Sequence, residues 1–391
     1  MTDPTPSASS KTALILGATG GIGGTVAREM LRRGWKVRAL HRDPGKARRT
    51  AGLEEVEWVS GDSMQADTVV AAARGVDVIV HMVNPPGYHN WAGLVLPMLE
   101  STIRAARASN ARIVIAGSVY NYGPDAFPTL TEQSPEHPTT RKGAIRVEVE
   151  QRLRDASQDG VKTLVVRAGD FFGLGSGNSW FAQVAAPGKA LTKVVYPGPP
   201  DVGHAWAYLP DLATTMVELL ERSDRLADFE TFHFEGHWFE RGVAFAEAVR
   251  RAAGKPDLPI RSFPWWLAWL VSPFVEVMRE LREMRYLWQT PVRLDNRKLV
   301  SFLGQEPHTP IDEALRTSLR AAGNLLERRD HLAQRAGRVD VDDLVVGHDH
   351  AAQVRQRGQP LEVSAKGRSI LDDDQAIDER ETRAAARADQ A

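Results

Sequence analysis

Three glycines near the start of the chain, Gly17, Gly20 and Gly23, have the spacing of a dinucleotide-binding loop. They follow the apolar run TALILGA and precede IGGTVAREMLRRG, which has the pattern of a helix. Glycines there permit a tight turn and a close backbone approach, so that a pyrophosphate can meet free N–H groups at the helix N-terminus. We therefore predict a dinucleotide site; the alternative is a tight turn with no ligand. The predicted contacts are Gly17, Thr19, Gly20, Gly21, Ile22 and Gly23.

The end of the second predicted strand distinguishes between the two nicotinamide dinucleotides. An NAD site uses an acidic residue there to accept from the ribose hydroxyls, but this chain has Leu40, His41 and Arg42. The guanidinium of Arg42 suits a phosphate and therefore favours NADP over NAD. The alternative is that Arg42 and Lys46 form a solvated basic loop. Asp62 follows the third predicted strand, where it can either accept from the adenine amino group or cap a helix.

Apolar strands alternate with helices through the first 170 residues. This alternation predicts an α/β fold, a Rossmann-type doubly wound parallel sheet covered by helices on both faces. The later pattern, rich in glycine and proline loops and then mostly helical, predicts a smaller C-terminal substrate domain.

These patterns also suggest domain boundaries. The predicted dinucleotide-binding domain is 11–170 plus about 203–235, and the predicted substrate-binding region is 171–202 plus 236–330. Residues 1–10 and 331–391 lack a sustained apolar face, so we expect them to be disordered, because they cannot offset their ordering entropy.

Composition excludes several classes of function. The 391 residues include Lys+Arg 49 and Asp+Glu 50, a net charge of -1, which gives no electrostatic basis for binding nucleic acid. Because the chain has no cysteine, disulfides, thiolate metal sites and cysteine nucleophiles are excluded.

We expect no metal site, since His233 and His237 straddle Gly236 near a strand end. The sequence leaves a homodimer open.

The sequence shows neither a recognisable targeting signal nor a predicted membrane-spanning segment. The leader MTDPTPSASSK lacks the order of a signal peptide, so we expect a cytoplasmic protein. The most apolar stretch, 263–275, is interrupted by Pro273 and is shorter than the ~20 residues of a transmembrane helix. We expect it to cap a binding cleft or to be a core helix, and do not expect membrane association; peripheral contact is the minority alternative.

Beyond these patterns, the sequence resembles the short-chain dehydrogenase/reductase superfamily, in its extended and atypical branch of epimerase/dehydratase-like proteins. The resemblance runs from about residue 11 to about 326. It rests on ALILGATGGIGGTVAREMLRRG, VDVIVHMV, AGSVYNYGP, VVRAGDFFG, AYLPDLA and LVSFLGQEPHTPIDEAL. It implies an NAD(P)-dependent oxidoreductase or epimerase that acts on a hydroxyl or carbonyl of a small organic molecule.

The implied catalytic positions depart from the family pattern. Ser118 matches the family's Ser or Thr, but the family's Tyr-x-x-x-Lys reads KGAIR, with Lys142 and Arg146 at the two key positions. The tyrosine normally relays a proton and the lysine holds the nicotinamide ribose. Lys142, or Tyr120 two residues after Ser118, would then handle the proton, and Arg146 would grip the ribose. The alternatives are a basic surface turn around Lys142 and aromatic packing for Tyr120.

The residues that the resemblance places at the substrate also depart from the family pattern. Asp170 replaces an Asn that in sugar-nucleotide enzymes donates to the substrate diphosphate. A carboxylate repels phosphate, which argues against a nucleotide-diphosphate sugar; the alternatives are a pair with Arg167 or a turn cap. His204 is a candidate acid–base group, since histidine titrates near neutrality. The predicted substrate contacts are Asp170, Asn178, Trp180, His204 and Trp206.

The sequence thus predicts an NADP-dependent oxidoreductase or epimerase with an atypical active site and a small-molecule substrate. Two alternatives stay open. One is a non-enzymatic, NADP-sensing regulator that has lost its catalytic motif. The other is a lyase or isomerase that uses a tightly bound nicotinamide cofactor.

Overall fold

The computed structural model describes residues 10–85, 90–175 and 179–325. Asn178 and the segment 331–391 lie outside the described residues, as does 1–10 apart from Ser10. The expectations for these segments therefore stay predictions.

The described residues form short strands and intervening helices. The strands are β1 Thr12–Leu16, β2 Lys36–His41, β3 Glu57–Ser60, β4 Val78–His81, β5 Arg112–Gly117, β6 Thr129–Leu130, β7 Thr163–Arg167, β8 Asp170–Phe172, β9 Val194–Tyr196, β10 His204–Tyr208, β11 Phe229–His233, β12 His237–Phe239, β13 Ile260–Ser262 and β14 Arg293–Leu294. The helices are α1 Gly21–Arg32, α2 Pro44–Thr50, α3 Ala66–Ala72, α4 Trp91–Ser109, α5 Arg141–Gln158, α6 Trp180–Val184, α7 Leu209–Glu221, α8 Val243–Ala252, α9 Trp265–Val271, α10 Glu276–Glu283, α11 Tyr286–Gln289, α12 Arg297–Leu303 and α13 Ile311–Ala321.

Seven strands form one parallel sheet in the order β11-β7-β5-β4-β1-β2-β3. Its central strands are almost wholly apolar because helices cover both faces, and β1 and β7 have only buried residues apart from Thr12. The predicted doubly wound α/β fold is confirmed.

The chain reverses its direction of travel across the sheet between β1 and β4. It runs outward from β1 through β2 to β3, then returns to place β4 on the other side of β1. In open α/β sheets, ligands bind in the crevice beyond the carboxyl ends of the strands at such a switch point. The glycine loop after β1 and Met82 after β4 both lie at that crevice.

The second half of the chain adds small sheets to its helices. β8, β10 and β12 form a three-stranded sheet, while β13 pairs with β9 and β14 pairs with β6. The prediction that the chain is mostly helical from Arg241 to about residue 327 missed the short strands β13 and β14, whose lengths of two or three residues leave no period to detect. The strands β8, β9, β10, β12 and β13 share a separate apolar core that includes Phe172, Trp206 and Phe245, whereas β6 and β14 contribute Leu130 and Leu294 to another small cluster.

Candidate active site

The loop between β1 and α1 is compressed against neighbouring backbone. Gly17 has a φ of +94°, and a Cβ on it would lie 2.5 Å from the carbonyl oxygen of Met82. A Cβ on Gly21 would lie 2.6 Å from the carbonyl oxygen of Gly175, and one on Gly23 would collide with the carbonyl of Gly17. Among the described residues, no side chain caps the N-terminus of α1, and its first turn has no acid. The cradle fits a dinucleotide pyrophosphate.

The remaining predicted dinucleotide contacts surround this cradle. Thr19 and Gly20 are exposed at its rim, and Ile22 is half-buried against the core. Arg42 is exposed immediately after β2. Asp62 accepts a hydrogen bond from the Met64 N–H at 2.9 Å, in the turn that precedes α3. Asp62 therefore stabilises a turn and does not cap α3, whose N-cap residue is Gln65, and its contact with adenine stays a prediction.

Arg146 lies on α5 and packs against α4. Its guanidinium lies 5.1 Å from the ring centroid of Trp91. Burial, aided by the charge of Arg146, lowers the pKa of His81 to about 3. His81 is the last residue of β4, next in sequence to Met82, whose carbonyl adjoins Gly17; the contact of Arg146 with the nicotinamide ribose stays a prediction.

Lys142 has a different environment. It is 2 % exposed, and its Nζ lies 2.9 Å from Glu280 Oε2 and donates to the Glu280 carbonyl at 2.8 Å. Burial lowers the pKa of Lys142, although the bond to Glu280 opposes that shift. The alternative of a basic surface turn is wrong for Lys142, because α10 covers it and supplies its counter-ion.

Arg167 organises the chain around Ser118. Its guanidinium contacts Glu150 at 2.7 Å and Glu136 at 2.9 Å, and donates to the Ser118 carbonyl at 2.6 Å. Burial disfavours the charge on Arg167, but these carboxylates raise its pKa above the ordinary value. The Ser118 hydroxyl accepts from the Tyr120 N–H at 3.3 Å, so its own hydrogen can point towards a ligand. The predicted alternative of an Asp170–Arg167 pair is wrong, because Glu150 and Glu136 hold this guanidinium.

Asp170 instead pairs with His204. The carboxylate Oδ2 lies 2.8 Å from His204 Nε2, because β8 and β10 are parallel neighbours. The imidazole stacks on Trp288 with ring centroids 3.8 Å apart and planes 9° apart. Together with Tyr120, these residues line a small pocket beyond the strand ends.

The pocket walls are otherwise apolar. Trp180 lines the pocket and packs edge-on against Trp288, with their ring centroids 5.3 Å apart. Trp206, a predicted substrate contact, is fully buried behind His204 and stacks on Phe245 at 4.0 Å, so its observed place is the core. Leu287 and Val292 complete the apolar lining.

Sequence reasoning missed three contributors to this site. Glu280 and Trp288 are far along the chain from Lys142 and His204, and no spacing signals their contacts. His81 had a signal, because ligands bind beyond the carboxyl ends of parallel strands, but its ring is buried and bonds to the Thr102 hydroxyl at 2.8 Å.

A model of the NAD dependent epimerase/dehydratase family matches residues 13–233. The chain belongs to this family. The predicted superfamily resemblance is thereby confirmed.

Solved structures share the fold of this family member at low identity. The UDP-glucose 4-epimerase from Bifidobacterium longum, in complex with NAD+ and UDP, has a TM-score of 0.63 and 19% identity, covering 80% of this chain and 98% of that chain. A putative epimerase from Burkholderia cenocepacia has a TM-score of 0.64 and 20% identity, covering 80% of this chain and 98% of that chain.

One curated relative is a reductase. The 3-diazoavenalumate denitrifying reductase from Streptomyces sp is 29% identical over 180 residues, which cover 42% of this chain. The match spans 57% of the relative's own length, little more than half.

Proposed function

We propose that this protein is an NADP-dependent oxidoreductase that acts on a carbonyl or hydroxyl of a small organic molecule, and not on a nucleotide-diphosphate sugar. The observation that carries this proposal is the Asp170–His204 pair, which lines one pocket with Tyr120 at the ligand edge of the sheet. A bound nicotinamide supplies or accepts the hydride; the protein must hold the substrate and move a proton.

Arg42 supports the choice of NADP. It is exposed at the end of β2, where an NAD site uses an acid, and no ion pair engages it among the described residues. A guanidinium in that position pairs with a ribose phosphate by charge-assisted hydrogen bonds.

Ser118 and Tyr120 are the groups we assign to the substrate oxygen. The Ser118 hydroxyl donates to that oxygen, and the Tyr120 phenol donates or accepts the proton as the hydride moves. Lys142 is a weaker candidate for the proton, because Glu280 holds its ammonium in a buried pair.

We assign His204, which lines the same pocket as Tyr120, to resupply the proton. Its Nε2 bonds to Asp170, which orients the ring. The stacked Trp288 fixes the plane of the ring.

The lining also indicates the substrate class. Trp180, Trp288, Leu287 and Val292 offer apolar walls, whereas Asp170 places a carboxylate where a diphosphate would be repelled. The lining favours a largely apolar molecule with one polar group, and because the cavity holds only about 20 Å³ in this structure, its walls must move apart to admit such a molecule. The name of the Streptomyces relative, a reductase, supports net reduction over epimerisation.

Nicotinamide absorbance tests the proposal. The full chain is incubated with NADPH or NADH and a panel of aromatic aldehydes and ketones, with UDP-glucose as the comparison substrate. We expect turnover with NADPH and an aromatic carbonyl, transfer of deuterium from deuterated NADPH to the product carbon, and none with UDP-glucose.

Variants separate the assigned roles. Tyr120→Phe and His204→Gln should each lower turnover, by about 100-fold or more for Tyr120→Phe, with NADPH affinity retained. The exposed His137→Gln is the matched control. NADPH binding without turnover on any carbonyl would favour the regulator, and product without net cofactor oxidation would favour the isomerase.

A further inference from the structure

One short segment contains most of the exposed apolar surface. Eight large apolar side chains are exposed among the described residues, and six of them lie within ten consecutive positions. We call these six the α9 apolar face: Trp266, Leu267, Trp269, Leu270, Phe274 and Val275. Trp266 is 71 % exposed and Phe274 is 89 % exposed. Single exposed apolar residues are ordinary, but a contiguous patch marks an interaction surface.

The segment is attached to the protein by its other side. Ala268 is buried, and Trp265 packs on Trp180 with ring centroids 5.7 Å apart and donates its indole N–H to the Pro197 carbonyl at 2.7 Å. The sequence predicted a cleft cap or a core helix here. The core alternative is wrong for the outward half of α9, whose residues contribute nothing to the interior.

Acidic and basic side chains around the α9 apolar face differ in their exposure. On α10, Glu280 pairs with buried Lys142, and Glu283 accepts from the Lys142 backbone N–H at 3.3 Å, so Lys142 engages both carboxylates. Arg282 and Arg285 remain exposed, and their guanidinium groups lie 5.9 Å and 5.3 Å from the rings of Trp269 and Trp265. Arg279 is exposed but pairs with Glu276 at 3.5 Å and Glu280 at 3.7 Å, so the cations without an ion pair among the described residues of this rim are Arg282 and Arg285. The rim of the face is therefore cationic.

We propose that the α9 apolar face docks on an anionic lipid bilayer, entering its interfacial zone without crossing it. Tryptophan, leucine and phenylalanine on one side with arginines at the rim are the composition of interfacial helices, and tryptophan prefers the headgroup level. Arginines at the rim gain from anionic headgroups. No helix among the described residues is long and apolar enough to span a membrane.

Charge favours a bilayer over a second copy of the chain. A two-fold interface through this face would bring the same patch together from both subunits. Such an interface would gather the positive charge of both rims in one contact region, while Glu280 and Glu283 stay engaged with Lys142. An anionic surface supplies the missing counter-charge. This inference does not depend on the proposed reaction.

Vesicle co-sedimentation of the full chain tests the proposal. We expect at least about tenfold tighter binding to phosphatidylcholine vesicles containing phosphatidylglycerol than to pure phosphatidylcholine, with the difference reduced by salt. Binding should also shift tryptophan fluorescence to the blue, as Trp266 and Trp269 leave water.

Two sets of variants decide the outcome. Trp266→Ser with Leu270→Ser and Phe274→Ser should lower vesicle binding about tenfold or more while NADPH affinity stays unchanged, which shows that the fold is intact. Arg282→Gln with Arg285→Gln should remove the preference for anionic vesicles. Met64→Ser with Leu174→Ser, the other two exposed apolar residues, is the matched control and should bind like the parent.

Several results would overturn the proposal. One is absence of vesicle binding by the parent chain; another is equal binding by the parent and the serine variant. A third is a dimer, seen by light scattering, that dissociates in the serine variant without any vesicle binding, which would assign the face to a second copy. Each of these leaves the carbonyl reduction assay unaffected, so the two proposals fail separately.

Discussion

The side chain of Arg167 donates a hydrogen bond to the carbonyl oxygen of Ser118 at 2.6 Å. The same guanidinium is held by Glu150 at 2.7 Å, and both side chains are almost fully buried. The position of Ser118 in the active site therefore depends on an ion pair in the core and not on the exposed loop that follows it.

We predict that Arg167→Met destabilises the protein by about 3–5 kcal/mol, because it leaves the Glu150 carboxylate buried without its partner. Equilibrium unfolding in urea measures this change in the free energy of unfolding. Arg152→Met, which breaks half-exposed pairs with Glu148 and Glu100, should cost less than about 1 kcal/mol. Equal costs for the two variants would contradict the argument.

Arg42→Ala should weaken NADPH binding by about tenfold or more, since a hydrogen bond to a charged group contributes about 1.5–3 kcal/mol. NADH affinity should stay the same, because NADH has no ribose phosphate. Calorimetric titration of both cofactors gives the two values. Arg49→Ala, in α2, is the control; unchanged discrimination in Arg42→Ala would exclude Arg42 as the phosphate ligand.

A double-mutant cycle separates a structural from a catalytic role for Lys142. Lys142→Met alone should cost about 3 kcal/mol, because Glu280 loses its buried partner, and adding Glu280→Met should recover most of that loss. Turnover measured on the same variants completes the test. If the double variant regains stability but not turnover, Lys142 handles the proton; if both return, Tyr120 does.

Acid should destabilise the native state through His81. Its pKa is about 3 in the folded protein, because burial and Arg146 disfavour its charge, against 6.5 in the unfolded chain. The unfolded chain therefore binds a proton that the native state does not, and the free energy of unfolding falls as the pH drops from about 6.5 towards 3.

His81→Gln removes this linkage while keeping a donor for Thr102, whose hydroxyl donates to Met98 and so accepts from the His81 ring. Between pH 6.5 and 5 the variant should lose about 1.5 kcal/mol less than the parent. Urea unfolding at the two pH values measures the difference. His233 and His237 are present in both proteins, so their own titration cancels; identical losses would refute the prediction.

The central sheet was predictable because each of its strands and helices has a local signal. A strand such as β5 is a short apolar run, and α1 begins after glycines and ends before Gly34, whose φ is +80°. The family motifs also predicted site positions for Ser118 and Arg146, because both are found by counting along the chain from other motif residues.

The substrate pocket was less predictable because it depends on contacts between distant segments. Asp170 meets His204 only through the pairing of β8 with β10, and β8 has three residues. Lys142 and Glu280 are 138 residues apart, and no period links them. The sequence therefore named Asp170 and His204 separately, as substrate contacts, without predicting their pairing.

The position of β11 at the edge of the main sheet has a consequence for synthesis of the chain. In that sheet β11 pairs only with β7, and about sixty residues lie between the end of β7 and the start of β11. At translation rates of about 5–20 residues per second, synthesis of the segment between β7 and β11 takes roughly 3–12 s, and β7 lacks its second partner strand until then. During that interval the nascent chain exposes the unpaired N–H and C=O groups of a strand whose side chains are wholly apolar between Thr163 and Arg167. A chain stopped before Phe229 should therefore aggregate, whereas one extended past His233 closes that edge.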